Sequence, residues 1–221
     1  MVAIRSLIAL AAIVTSAGSA RGQTNARKAD MPIPMRTILG IEVSRDSLGS
    51  VQRKLGRSTL WHTGDAGESA THRCYRMGTG PSATTVRFSS SGEMGGPGQE
   101  VEDIQVWRGT GPAKDAAKCA PLSNTAAVQT AGGLSLGMGR PEIERLLGRP
   151  TRVAAGTIEY TWETEQPLPV TDPMYAEWNA RRAECFGGKA PFSYVGARMQ
   201  IVIGPRGATS MLISRGDNAM C

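Results

Sequence analysis

The sequence predicts an α+β fold of two tandem units, each a short helical segment packed on one face of an antiparallel sheet. Three observations point there. A helix-forming phrase occurs twice in the 221 residues, at 40–57 and 133–149. Each phrase is followed by segments whose apolar residues alternate, as half-buried strands require. Gly (27) and Pro (13) are plentiful while aromatics make up 5%, which favours turns and short strands over long helices. A chain of this length can bury a real core, so disulfides would support the fold rather than replace it.

In the first phrase, Gly40-Ile41-Glu42-Val43 precedes a polar stretch and then Leu48, Val51, Leu55, Gly56 and Arg57. In the second, Gly133-Leu134-Ser135-Leu136 leads through a shorter polar stretch to Ile143, Leu146, Leu147, Gly148 and Arg149. Ile41 matches Leu134, Val43 matches Leu136, Val51 matches Ile143 and Arg53 matches Arg145. Leu55-Gly56-Arg57 matches Leu147-Gly148-Arg149. An ordered series of this kind is how an internal repeat reads in sequence.

Each phrase predicts a short helix. In the second, Pro141 suits the first turn, where a missing N–H costs nothing, and Glu142 lies at the positive end of the helix dipole. Ile143, Leu146 and Leu147 form the apolar stripe, Gly148 ends the helix, and Pro150 blocks its continuation. In the first, Ser44 or Asp46 caps the start, Leu48, Val51 and Leu55 form the stripe, and Gly56 ends it.

Strands follow each helix. Residues 157–163 place Ile158, Tyr160 and Trp162 on one face and Glu159 and Thr161 on the other. Residues 197–203 alternate likewise, 204–207 turn the chain, and 209–215 return, which predicts a hairpin. In the first copy, 73–77, 84–89 and 101–108 fill the same roles, with a longer Gly-rich turn at 90–98. The helix stripe has only the sheet to bury against, so the opposite sheet face is left for solvent or a partner. The expected organisation is a leader at 1–20, a flexible lead-in at 21–36, a first unit at 37–108, a connector at 109–132 and a second unit at 133–221.

The leader sets the expected compartment. Arg5 is followed by a mainly apolar run from Ser6 to Val14 and by small residues from Ser16 to Ala20. This is a signal-peptide pattern with cleavage after Ala20 or Gly22. The run is about half the ~20 residues a bilayer span needs, and no later stretch could span one. The mature chain is therefore expected in the periplasm or outside the cell. Four cysteines, Cys74, Cys119, Cys185 and Cys221, suit two disulfides in such a compartment. Three pairings are open, and the symmetry of the repeat favours Cys74–Cys119 with Cys185–Cys221. The net charge of +6 is scattered. It predicts no nucleic-acid partner, and at most weak attraction to acidic surfaces.

Residues 133–150, Gly-Leu-Ser-Leu-Gly-Met-Gly-Arg-Pro-Glu-Ile-Glu-Arg-Leu-Leu-Gly-Arg-Pro, resemble the helical signature of the β-lactamase-inhibitor-protein-like superfamily. The outer-membrane assembly lipoproteins of the SmpA/OmlA type share that signature. The tandem arrangement is similar to the inhibitor protein, which carries two such units and a disulfide in each. The resemblance spans about 38–215, with motif only in the helical segments. Gly139 stands where the family has Thr or Ser, Ser58 stands where it has Pro, and the lipoproteins' acylated Cys is absent. The resemblance implies the fold and a habit of binding proteins through the open sheet face.

Catalytic patterns are sparse. The two histidines, His62 and His72, have no companion at metal-ligand spacing and read as surface or loop residues. There is no Gly-x-Ser-x-Gly elbow and no phosphate-binding loop. Glu159, Glu163 and Glu165 form an acidic group. Paired carboxylates act in glycosidases, but here the spacing is that of ordinary exposed strand positions. No metal and no cofactor are expected. The candidate binding residues are those predicted to point away from the helices: Trp107, Asp103, Gln105 and Arg87 on the first sheet, and Glu159, Arg198 and Gln200 on the second. Trp178 joins them from the long excursion at 166–191. An outward Trp beside Arg is the composition of a binding hot spot; Trp107 packed between the two units as core is the equal alternative. The expected function is an exported, non-enzymatic protein-binding module, an inhibitor or scaffold. A structural envelope protein aiding outer-membrane or cell-wall assembly is the alternative, and a carboxylate-dependent hydrolase a remote one.

Overall fold

A computed structural model of the protein describes residues 27–65, 69–92, 96–109, 117–123 and 127–219. The expected leader at 1–20 and Cys221 lie outside them. The fold is α+β and mostly sheet. Along the chain come β1 (Thr37–Ile38), β2 (Ile41–Glu42), α1 (Leu48–Leu55), β3 (Trp61–Thr63), β4 (Ala70–Met77), β5 (Thr84–Ser91), β6 (Asp103–Arg108) and β7 (Ala120–Pro121). Then follow α2 (Arg140–Leu147), β8 (Arg152–Ala154), β9 (Thr157–Pro167), α3 (Tyr175–Ala180), α4 (Arg182–Cys185), β10 (Phe192–Gly204) and β11 (Gly207–Ala219). Strands β1 and β2 form a small ribbon of their own.

The other strands form one sheet in the order β3-β4-β5-β6-β11-β10-β9-β8, with β7 parallel beside β4. Read from either edge inward, a three-residue strand is followed by three strands of an antiparallel meander. The last strands of the two meanders, β6 and β11, pair antiparallel at the centre. The alternation seen in sequence sets the faces. Tyr75, Phe88, Ile104, Ile213, Met199 and Tyr160 turn to one side, where they share a single core with Leu48 and Val51 of α1 and Ile143 and Leu147 of α2. Burying this stripe against the sheet is the main stabilising contribution, at about 25 cal/mol per Å² of apolar surface.

The helix ends show how local sequence positions them. Ser47, rather than Ser44 or Asp46, caps α1, its Oγ accepting from the Ser50 N–H at 3.2 Å. Ser44 is committed to a turn at φ 58°, and Asp46 accepts instead from the Glu42 N–H and from Lys54. The next free N–H groups of α1, on Leu48 and Gly49, donate to the carbonyls of Gln99 and Pro97. The described part of the Gly-rich turn at 90–98 is thus seated on the helix start. Gly49 permits the approach, because a Cβ there would lie 2.8 Å from Pro97 O. In α2, Glu142 reaches back to accept from the Gly139 N–H at 2.7 Å. Both helices end on glycines, Gly56 at φ 94° and ψ −179° and Gly148 at φ 72° and ψ −164°. That region is essentially closed to residues with a Cβ. The Tyr75 hydroxyl donates to Gly56 O at 2.8 Å, and the Tyr160 hydroxyl to Gly148 O at 3.1 Å.

The segment before each helix is tied to the start of the last strand of its meander. Ser44 N–H donates to Val101 O and Val101 N–H to Asp46 O; Gly137 N–H donates to Ala208 O and Ala208 N–H to Met138 O.

Residues 27–36, expected as part of a flexible lead-in, are packed against the sheet. Met31 is 1% exposed and joins the core. Arg27 bridges Trp162 as a short parallel extension of the β9 edge, and its guanidinium donates to Leu147 O and Arg149 O at the end of α2. Asp30 accepts from Arg36 at 2.8 Å and from Arg215 at 3.2 Å, tying the start of the chain to β11. Burial pushes the Asp30 carboxyl up, but the Arg215 and Arg36 hydrogen bonds outweigh it and hold it below the ordinary value. The expected connector at 109–132 also contributes structure, through β7 and buried Val128 and Thr130. Cys74 and Cys119 are joined, as the symmetry argument expected. Cys185 is also disulfide-bonded, but the expected pairing with Cys221 falls outside the described residues. Among the described residues no helix is long and apolar enough to cross a membrane.

Candidate functional site

The face of the sheet turned away from α1 and α2 carries seven of the eight candidate residues. Strand registers arrange them in rows. One row runs from Cys74 through Arg87, Gln105, Leu212, Gln200 and Glu159 to Arg152. A neighbouring row runs from Trp61 through His72, Ser89, Asp103, Ser214 and Arg198 to Thr161. Because β6 pairs with β11, the two groups predicted on separate sheets lie on one continuous surface.

In the first group, Arg87 donates to Gln105 Oε1 at 2.6 Å, and its guanidinium lies 5.7 Å from the Trp107 ring centroid. Trp107 does point away from the helices, yet it is only 7% exposed. It packs within the face and is not a projecting hot spot. Asp103 is half-buried. Burial first, and then the Glu102 charge, push its carboxyl up to about 6, against the pull of Arg87. The desolvated charge is the costly form, so part of the population is neutral near that pH.

In the second group, Glu159 accepts from Arg198 at 2.7 Å and from Gln200 at 3.1 Å. Glu159 was expected on an exposed strand face but is buried, at 8%. Burial pushes its carboxyl up, while the Gln200 and Arg198 hydrogen bonds bring it below the ordinary value. It is therefore held as a charged partner of Arg198. Glu163 lies on the same face and Glu165 accepts weakly from Tyr194, so the three carboxylates are strung along β9 rather than gathered around one point.

Trp178 is apart from both groups. It sits on α3 and begins an aromatic series, Trp178–Phe186–Phe192–Tyr194, with successive ring centroids 6.2, 5.2 and 5.1 Å apart. Phe192 and Tyr194 share the strand parity of Arg198, so the excursion closes one end of the helix-free face. His72 corrects the surface reading. It is buried in β4, bonded to Thr63 Oγ1 at 2.7 Å and Ser89 Oγ at 2.9 Å. His62 is the exposed one, on β3. Among the described residues no three His, Cys, Asp or Glu side chains converge as a metal site would require.

Sequence reasoning passed over Leu212, Ser214, Gly196 and Gly216 on this face. Their positions follow from the alternation of β10 and β11, and the one available signal was Gly inside a strand pattern. Compared with protein-family models, curated proteins and solved structures, the chain matches none of them.

Proposed function

We propose that this is an exported protein-binding module made of two copies of one helix-on-sheet unit, which docks a partner on the face turned away from α1 and α2. Duplication is supported by paired details. Gly40 and Gly133, Ser44 and Gly137, and Gly56 and Gly148 are matched positions that all take positive φ. The Tyr-to-Gly carbonyl bond and the reciprocal backbone clamp also recur. Together these fit the β-lactamase-inhibitor-protein-like arrangement that the helical phrase resembles. The leader pattern and the Cys74–Cys119 bond are compatible with export.

The observation that carries the docking reading is the continuous helix-free face itself. Two helices cover one side of the sheet, while the other presents an ordered row, Arg87–Gln105–Leu212–Gln200–Glu159, held by cross-strand hydrogen bonds. Side chains fixed before binding lose less entropy on association. The mechanism is occlusion or scaffolding, without chemistry on the partner. A photo-crosslinking amino acid at Leu212, in the cells that make the protein, is expected to give discrete protein adducts. The same group at Arg53, on the exposed side of α1, is expected to give none. Equal labelling from both positions, or none from Leu212, would overturn the reading.

A further inference from the structure

A hollow of about 350 Å³ interrupts the helix-free face on the second half. Its floor is the cross-strand pair Gly196–Gly216. Its sides carry Asp103, Glu102, Glu163, Thr161, Ser214 and Arg198. Nothing in the backbone requires glycine here. Neither residue has a positive φ, and a Cβ on either would meet no atom within 4 Å. The register shift of the β10–β11 hairpin lies elsewhere, at Val202/Ile203. Glycine inside a strand costs backbone entropy and forgoes packing, and it often marks a place where another molecule comes close.

The charges around the floor are unbalanced. Glu102 accepts from the Ser91 N–H and hydroxyl, Asp103 feels the Arg87 charge, and the Thr161 hydroxyl has no partner among the described residues. Arg198 is already spent on Glu159 at 2.7 Å. Arg215 contributes only its backbone, since its guanidinium is on the helix side with Asp30. The hollow is thus a local acidic spot on a chain of net charge +6.

We propose that this hollow seats a basic side chain, lysine or arginine, of the protein partner docked on the helix-free face. The aliphatic stem lies over the glycine floor, and the cationic head reaches a carboxylate at its rim, Asp103 on β6 or Glu163 on β9, where charge-assisted hydrogen bonds are roughly twice as strong as neutral ones. The elevated carboxyl of Asp103 agrees with this, because an arriving cation adds to the pull of Arg87 and offsets the solvation that burial removes. The assignment rests on the docking reading above for the source of the side chain, but the hollow's chemistry can be tested without the partner.

The test is amide-resolved NMR titration of the purified chain with four capped residues: N-acetyl-arginine, -lysine, -norleucine and -glutamate methylamides. The arginine or lysine probe is expected to give saturable shifts centred on Gly196, Gly216, Ser214 and Asp103, with norleucine roughly tenfold weaker or more, as loss of a charge-assisted contact predicts. Gly196→Leu fills the floor and should abolish the response. Gly196→Ala, the smaller intrusion, keeps a readout if the larger variant folds poorly, and should weaken it. Asp103→Asn should weaken the cationic probes and leave norleucine unchanged. Absence of saturable shifts, equal response to norleucine, or indifference to both glycine variants would overturn the proposal. Adducts at Leu212 without probe binding would sink the hollow alone. Probe binding without adducts would sink the docking reading instead.

Discussion

The two halves of the helix-free face are each carried by three long antiparallel strands yet finished in opposite ways. On β4, β5 and β6 the surface is filled: His72, Thr85, Ser89 and Trp107 are all buried, and the Cys74–Cys119 bond packs with Trp61 at the edge. On β9, β10 and β11 it is opened: Gly196 faces Gly216, and Arg198 and Gln200 stand in the rows around them. The first half is closely packed, and the second is left open at the glycine pair. One scaffold can do both because sheet faces are independent. The helix-side residues hold the fold whatever the alternate residues do.

The largest expected effect tests the closely packed half. Replacing Cys74 and Cys119 together by Ala releases a staple across a sequence separation of 45, and should lower stability by about 2–4 kcal/mol in urea unfolding. Because β6 and β11 pair through five residues, the transition should remain single. A separate early melt of the first half would break the picture of one continuous sheet. A smaller effect tests the matched helix ends. Gly56→Ala and Gly148→Ala each force a Cβ into a glycine-only region, at about 1–3 kcal/mol. Equal losses by thermal melting would sharpen the equivalence of the halves, and a loss at one alone would break it.

The smallest effect sits on the border between the halves. Asp103 has a folded-state pKa of about 6 against an ordinary 3.8, so the neutral acid favours the fold. That contribution is full below about pH 4 and is lost as pH rises through 6. Asp103→Asn, which stays neutral, should be silent at pH 4 and stabilising at pH 7 by roughly 1–2 kcal/mol, after discounting the half-exposed side chain. Equal stability of the two proteins at pH 7 would show that the carboxylate is better compensated than its surroundings suggest.

Much of the fold was legible before the structure. The glycines at 56 and 148 were read as helix ends, the alternation at 157–163 as a strand, and 204–207 as the hairpin turn. What escaped was too short or too distant. Strands β3 and β8 are three residues each, below the length at which alternation can be recognised. The docking of residues 27–36 depends on Arg27 with Leu147 and Asp30 with Arg215, contacts separated by more than a hundred residues, for which a local pattern carries no signal. Among the candidate residues, the outward faces of Arg87, Gln105, Arg198 and Gln200 were correct because parity is local. The sequence left Trp107 open between an outward and a packed position and did not foresee the burial of Glu159, because burial depends on what neighbouring strands bring beside a residue.

Local chemistry was enough to set which residues turn toward the helices, where each helix stops and that the protein is mainly antiparallel sheet, since periodicity and glycine conformation act within a few residues. Joining the halves needed the folded chain: the pairing of β6 with β11 made one surface from two groups of side chains. The hollow needed it too. At the hairpin turn Gly204 pairs with Gly207, and without the shift at Val202/Ile203 that register would have set Gly196 against Arg215. One extra residue, Thr209, moves the pairing by a single step and brings Gly196 opposite Gly216. A register is a relation between two strands, fixed by how their apolar faces meet the core together, and neither strand carries it alone.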